Sequence, residues 1–199
     1  MPAHNIETLQ SGIEQTGTSQ NEAAIADQSD ADEAVVQTRL DAAPIVIVTR
    51  FSFLGESGWK SDASRSAEML FEADRLNRRL ELFCTITLPS LAAQTDQGFH
   101  HFILTSKQLP DWAMEVLRTA CMGIYGDESR FTILAGRPGP ARRALRVFLE
   151  RQFAKQIVVQ VVLDDDDGLA AHFIADLRAE LTLLDDQPPE DLHPLPYFI

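Results

Sequence analysis

Gln156–Asp167 reads QIVVQVVLDDDD. An apolar run, Ile157–Leu163, stops at four consecutive aspartates, Asp164–Asp167. Seven residues rich in β-branched side chains, bounded by a polar block, predict a strand buried on both faces, as in the middle of a parallel sheet. The carboxyl end of such a strand is where open α/β sheets bind ligands. Four like charges there destabilise the fold unless a cation neutralises them. A divalent metal is the simplest candidate, because hard cations take oxygen ligands. The competing reading is a solvated acidic turn, with Asp166 or Asp167 capping the next helix and Gly168 in its first turn. The run by itself leaves both readings open.

Working outward, strands and helices alternate. Ile45–Val48 (IVIV) opens the ordered chain after Pro44 and ends in Thr49–Arg50–Phe51–Ser52. A Gly/Ser loop with Trp59 follows. From Asp62 the spacing of Ala67, Leu70, Leu76, Leu80 and Phe83 predicts helix, with a break or kink before Pro89 and a shorter piece to Gln94. Phe99–Thr105 is a second strand. Its adjacent His100 and His101 point to opposite faces and do not share a metal. A helix starting near Pro110, a strand at Phe131–Leu134, the GRPGP turn of Gly136–Pro140 and a helix over 141–155 follow. Arg142, Arg143 and Arg146 fall in that helix's first turns, against its dipole. They form either a solvated basic face or one side of an anion site. Ala170, Phe173, Ile174, Leu177, Leu181 and Leu184 space out a last helix. Alternation of this kind predicts an α/β three-layer sandwich with a mainly parallel sheet.

The chain has 199 residues and a net charge of −13. Residues 1–43 are acidic and poor in large apolar side chains, which predicts a disordered tail. Residues 44–184 form the folded domain, and 185–199 an acidic, Pro-rich end. The balance of charge excludes nucleic acid as a partner. No apolar run is long enough for an integral membrane segment. Cys84 and Cys121 lie in apolar patterns and read as reduced core residues of a cytoplasmic protein. There is no GxxxxGK[ST] loop and no GxGxxG after the first strand, which removes support from the P-loop and dinucleotide-binding readings. A haloacid-dehalogenase-type phosphatase places its aspartates after the first strand; here they follow the fourth.

Several segments together, RLELF at 79–83, TLPSLAAQT at 87–95, FHHFILTS at 99–106 and VVLDDDDGL at 161–169, resemble the rhamnosyltransferase family, related to the nucleotide-sugar glycosyltransferases of the GT-A fold. GRPGPARRAL is similar to the segment that precedes the DxD motif in family-2 glycosyltransferases, with Arg142 at the family's arginine and Arg143 where asparagine is usual. The resemblance implies a GT-A domain and a transferase that moves a sugar, rhamnose by the family label, from a nucleotide-diphosphate sugar donor to a hydroxyl of a glycan or other acceptor. It implies Mn²⁺ or Mg²⁺ as cofactor, held by Asp166 with Asp167 nearby. Arg50, Phe51, Arg142, Asp164 and Asp165 would bind the nucleotide-sugar. Gln94 and Thr95 would position a helix end near the second strand, and Leu88–Ser90 would be structural.

An inverting transferase needs a general base for the acceptor hydroxyl. Only Asp185, Asp186, Glu190, Asp191 and His193 follow the aspartates as candidates, so the sequence assigns no catalytic residue. The alternative expectation is a catalytically incomplete nucleotide-sugar-binding or interaction module, completed by a protein partner.

Overall fold

Four short runs of apolar residues become strands because each can bury its side chains against helices that the same chain supplies. They are β1 (Ile45–Arg50), β2 (Phe99–Ser106), β3 (Phe131–Gly136) and β4 (Val159–Val162). In this computed structural model, which describes residues 39–55, 66–154 and 156–185, the sheet order is β3-β2-β1-β4 and every pairing is parallel. The expected three-layer α/β architecture is the one observed. The readings of residues 1–38, Trp59, Asp186, Glu190, Asp191 and His193 lie outside the described residues.

The helices are α1 (Ala67–Leu70), α2 (Ala73–Leu82), α3 (Leu88–Ala92), α4 (Asp111–Tyr125), α5 (Ala141–Gln152) and α6 (Phe173–Asp185). One face of the sheet carries Ile45, Ile47, Phe51 and Ile103 into a large cluster with Leu76, Leu80, Phe83, Leu88, Leu117 and Ile174. Those partners come from α2, the turn after it, α3, α4 and α6. The other face carries Val46, Val48, Phe102 and Leu104 against Phe53 and Phe148, the latter from α5. Phe148 stacks on Phe102 with ring centroids 4.4 Å apart.

Two sequence expectations are corrected. The helix does not break before Pro89. Phe83–Thr87 widens into a π turn that joins α2 to α3, closed by the Leu88 amide on the Phe83 carbonyl. Pro89 then sits in the first turn of α3, where no amide donor is required. Nor is β4 a central strand. It is an edge, bonded to β1 through the register Ile45↔Val159 to Val48↔Val162. Val162 is 60% exposed although its neighbour Leu163 is buried. An apolar run marks a strand but not its place in the sheet.

At the amino edge of the sheet, Arg178 of α6 ties several pieces together. It donates to Asp96, to the Gly98 carbonyl and to the Asp41 carbonyl. Asp41 belongs to the 3-10 turn Leu40–Ala42 that leads into β1. Asp41, just ahead of β1, is thus tied to α6 through both its carbonyl and its amide.

Candidate functional site

The carboxyl ends of β1 and β4 lie side by side, and this juxtaposition builds the site. Leu163 donates its amide to the Val48 carbonyl, which carries the register on to the aspartates. Arg50, at the end of β1, approaches Asp164 at 3.7 Å. Arg79, from α2, reaches across to the same run. Its Nε donates to Asp165 Oδ2 at 2.9 Å, and its terminal nitrogen also pairs with Asp165 Oδ1. A further Arg79 nitrogen lies 3.6 Å from Asp166 Oδ2. Burial pulls the Arg79 guanidinium below its usual value, an effect that the nearby Asp166 carboxylate opposes.

The four aspartates therefore have different environments. Asp165 is 1% exposed and engaged with Arg79. A carboxylate out of water in this way requires a cation and good geometry, and Arg supplies a two-pronged contact. Asp164 is partly exposed beside Arg50, while Asp166 and Asp167 are exposed. Asp167 donates its amide back to the Asp164 carbonyl, closing a turn. The turn points the outer carboxylates to solvent and keeps Asp165 inside.

The aspartates do not cap a helix: α6 starts at Phe173, five residues after Gly168. The intervening segment is held by the stretch that contains TLPSLAAQT. Thr87 Oγ1 donates to the Asp167 carbonyl at 2.8 Å, and Ser90 Oγ accepts the Leu169 amide at 3.1 Å. Gln94 donates to the Ala170 carbonyl at 2.8 Å and accepts the Ile174 amide at 3.1 Å, so it caps α6 from outside. The Thr95 amide bonds the Ala171 carbonyl. At Gly168 a Cβ would meet Ser90 Cβ at 3.2 Å, so the turn packs closely on α3.

Other expected site residues fall elsewhere. Phe51 is fully buried, with its ring 5.8 Å from that of Phe83; it supports the site from beneath instead of lining it. Arg142 is exposed at the start of α5, and no ion pair joins it to the aspartates among the described residues. Gly55 packs on Gly139, close enough that a Cβ would stand 2.4 Å from the Gly139 carbonyl oxygen. The loop after β1 and the GRPGP turn thus meet on the same edge. Asp185 accepts the Asp41 amide at 3.0 Å, which holds its carboxyl below the usual range. That contact sits before the start of β1, at the opposite edge of the sheet from Asp164. Asp185 is therefore not placed to act as a base on chemistry at the aspartates.

Sequence reasoning assigned no role to Arg79. The signal was present in the alternation of β4: Val161, Leu163 and Asp165 share parity, so Asp165 turns toward the face that α2 covers. Ser52 was also missed. It holds a left-handed backbone at φ 45°, and its buried hydroxyl has no hydrogen-bond partner among the described residues.

Among the described residues no group of three or more His, Cys, Asp or Glu side chains converges on a metal position. The donor set nevertheless fits one kind of cation. Asp166 and Asp167 offer two exposed carboxylates, as Mg²⁺ and Mn²⁺ sites do when the remaining ligands are phosphate oxygens and water. An all-protein cage does not fit.

The family described as "Putative rhamnosyl transferase" matches residues 44–188. The chain belongs to that family. The match takes in all four strands, Arg79, the Thr87–Thr95 stretch and the aspartates, so the GT-A-type sandwich and the site described above are the family's region of the chain. No curated protein and no solved structure matches the chain. No described helix is long and apolar enough to cross a membrane.

Proposed function

We propose that this rhamnosyltransferase-family domain binds a nucleotide-diphosphate sugar at the carboxyl edge of β1 and β4 and transfers the sugar to an acceptor hydroxyl with the help of Mn²⁺ or Mg²⁺. The observation that carries the proposal is the graded aspartate run: one carboxylate locked inward by Arg79, one beside Arg50, two facing solvent. The locked member fixes the direction of the others without itself meeting the ligand. Asp166 and Asp167 would hold the cation, which neutralises charge on the diphosphate as the glycosidic bond breaks. Asp164 and Arg50 face the same edge and suit the ribose and phosphate groups, since arginine takes phosphate oxygens in pairs. Phe51 and Asp165 support this surface from below. No described residue takes the part of the acceptor's base.

The reading is tested with the full chain, Mn²⁺ and a panel of nucleoside diphosphates. Mn²⁺ with the matching diphosphate raises the melting temperature, and Asp166→Ala removes the rise. Incubation with nucleotide-sugars releases nucleoside diphosphate. A rise without release favours a binding module derived from a transferase. No rise with any member of the panel rejects the donor site.

A further inference from the structure

A threonine inside a helix commonly turns its hydroxyl back to the carbonyl four residues before it. Thr85 does so, donating to the Glu81 carbonyl at 2.7 Å, and Thr182 donates to the Arg178 carbonyl at 3.0 Å. Thr87 departs from that habit. It is the last residue of the π turn, where the Phe83 carbonyl, four positions back, takes the Leu88 amide. Its hydroxyl crosses instead to the Asp167 carbonyl, 80 residues away in sequence. Thr87 is fully buried, which keeps that hydroxyl out of water.

The bond fixes a peptide plane. A trans peptide is rigid, so the chain turns only through the two backbone dihedrals of each residue. The plane before Asp167 is held by the Asp167 amide on the Asp164 carbonyl at 3.2 Å. The plane after Gly168 is held by the Leu169 amide on Ser90 Oγ at 3.1 Å, and Ser90 Oγ in turn donates to the Thr87 carbonyl at 2.8 Å. Between them stands the Asp167–Gly168 plane, whose carbonyl takes the Thr87 hydroxyl at 2.8 Å. Three successive planes are pinned in this way. Gly168 packs closely on α3, since a Cβ would meet Ser90 Cβ at 3.2 Å, but glycine is also the residue with the widest backbone freedom. With the outer planes held and the middle one released, Asp167 and Gly168 can share a rotation, and the Asp167 carboxylate swings with it. The Thr87 hydroxyl removes that motion.

Asp166 and Asp167 are both exposed at the turn. Mg²⁺ demands near-ideal octahedral geometry, so the direction of each carboxylate matters as much as its charge. Arg79 anchors Asp165 through its side chain, whereas Thr87 anchors Asp167 through its carbonyl and spares its carboxylate. We propose that Thr87 is a positioning residue of this site: its buried hydroxyl fixes the direction from which Asp167 meets the cation. The inference rests on the metal-assisted donor site proposed above.

Two measurements on the full chain test it: hydrogen exchange without metal, and calorimetry with Mn²⁺ and the panel of nucleoside diphosphates. Thr87→Val keeps the β-branched shape and loses the hydroxyl, while Thr87→Ser keeps the hydroxyl. In Thr87→Val the amides of 167–169 exchange faster, and Thr87→Ser restores them. Affinity for Mn²⁺ with the diphosphate falls about tenfold in Thr87→Val and stays within about twofold of wild type in Thr87→Ser, as for groups that orient a metal ligand without touching the metal. Thr87→Cys, a weak donor of similar size, falls between the two and serves if Thr87→Val does not fold. Unchanged exchange in Thr87→Val overturns the proposal. So does faster exchange with affinity kept, because the hydroxyl would then serve the loop alone. If wild type takes up no Mn²⁺ with any diphosphate of the panel, the donor site itself fails and the proposal with it; the wild-type titration alone reveals that case.

Discussion

His100 and His101 are neighbours in β2, and the sheet sends them into two different environments. His101 enters the thickly covered face, where its ring nitrogens contact Tyr125 Oη at 2.8 Å and Thr49 Oγ1 at 2.9 Å. It is fully buried, and burial lowers it to about 3. His100 enters the thin face, contacts Thr132 and stacks on Phe148. It too is lowered by burial, but it keeps some exposure. The same side chain thus reports how much material each layer provides. α2, the π turn, α3, α4 and α6 build one layer and hold the aspartate run; among the described helices only α5 packs on the other, with Phe53 from the loop after β1. The more heavily packed layer is the one that holds the aspartate run.

The sharpest way to break this contrast is to remove core from the thick layer. Phe83→Ala is expected to cost about 3–5 kcal/mol, since it empties a fully buried site that several elements share. Urea unfolding measures it, and a loss below about 1 kcal/mol would mean that the layer collapses easily. Arg79→Ala comes next, at about 3 kcal/mol, because it leaves the Asp165 carboxylate buried and unpaired. Replacing both partners by leucine recovers much of that loss, whereas binding of Mn²⁺ with a nucleoside diphosphate stays impaired.

The histidines give a pH test. Above about 6.5 both folded and unfolded chains carry neutral His101. Below that value the unfolded chain takes a proton that the folded chain refuses until about 3. Stability therefore falls as pH drops through this window, by up to about 1.4 kcal/mol per pH unit. His101→Gln flattens that slope, and an NMR titration finds His100 changing at higher pH than His101. The smallest effect belongs to the thin face. Val162→Thr, on an exposed edge, shifts stability by less than about 0.5 kcal/mol in the same urea assay.

The alternation of strands and helices was legible because each run carries its own period and punctuation. The place of β4 was not, because strand order depends on which way each crossover returns, and no local pattern in Ile157–Leu163 records that. The aspartate run announced itself by composition, but its sorting did not: the Arg79–Asp165 pair joins positions 86 residues apart. The burial of Phe51 was hidden for a related reason. Standing at a strand's end it looked available to a ligand, yet its parity matches Ile45 and Ile47, which face the core. The role of Gln94 was read in outline, and its reciprocal bonds to Ala170 and Ile174 became visible only once α6 was shown to start late.

The π turn at Phe83–Thr87 has a consequence for how this site tolerates change. A π turn amounts to one extra residue in an α-helix, which rotates everything after it by about 100° relative to what came before. Arg79 lies upstream of that offset and faces Asp165; Ser90 and Gln94 lie downstream and face the segment after the aspartates. One rod thus presents two differently phased grips to a single loop. Deleting one residue within Phe83–Thr87 would restore an ordinary helix and still bring only one grip to bear. Length in this segment is therefore constrained alongside identity: the five residues set the offset between the grips, and Thr87 adds the hydroxyl that holds the Asp167 carbonyl.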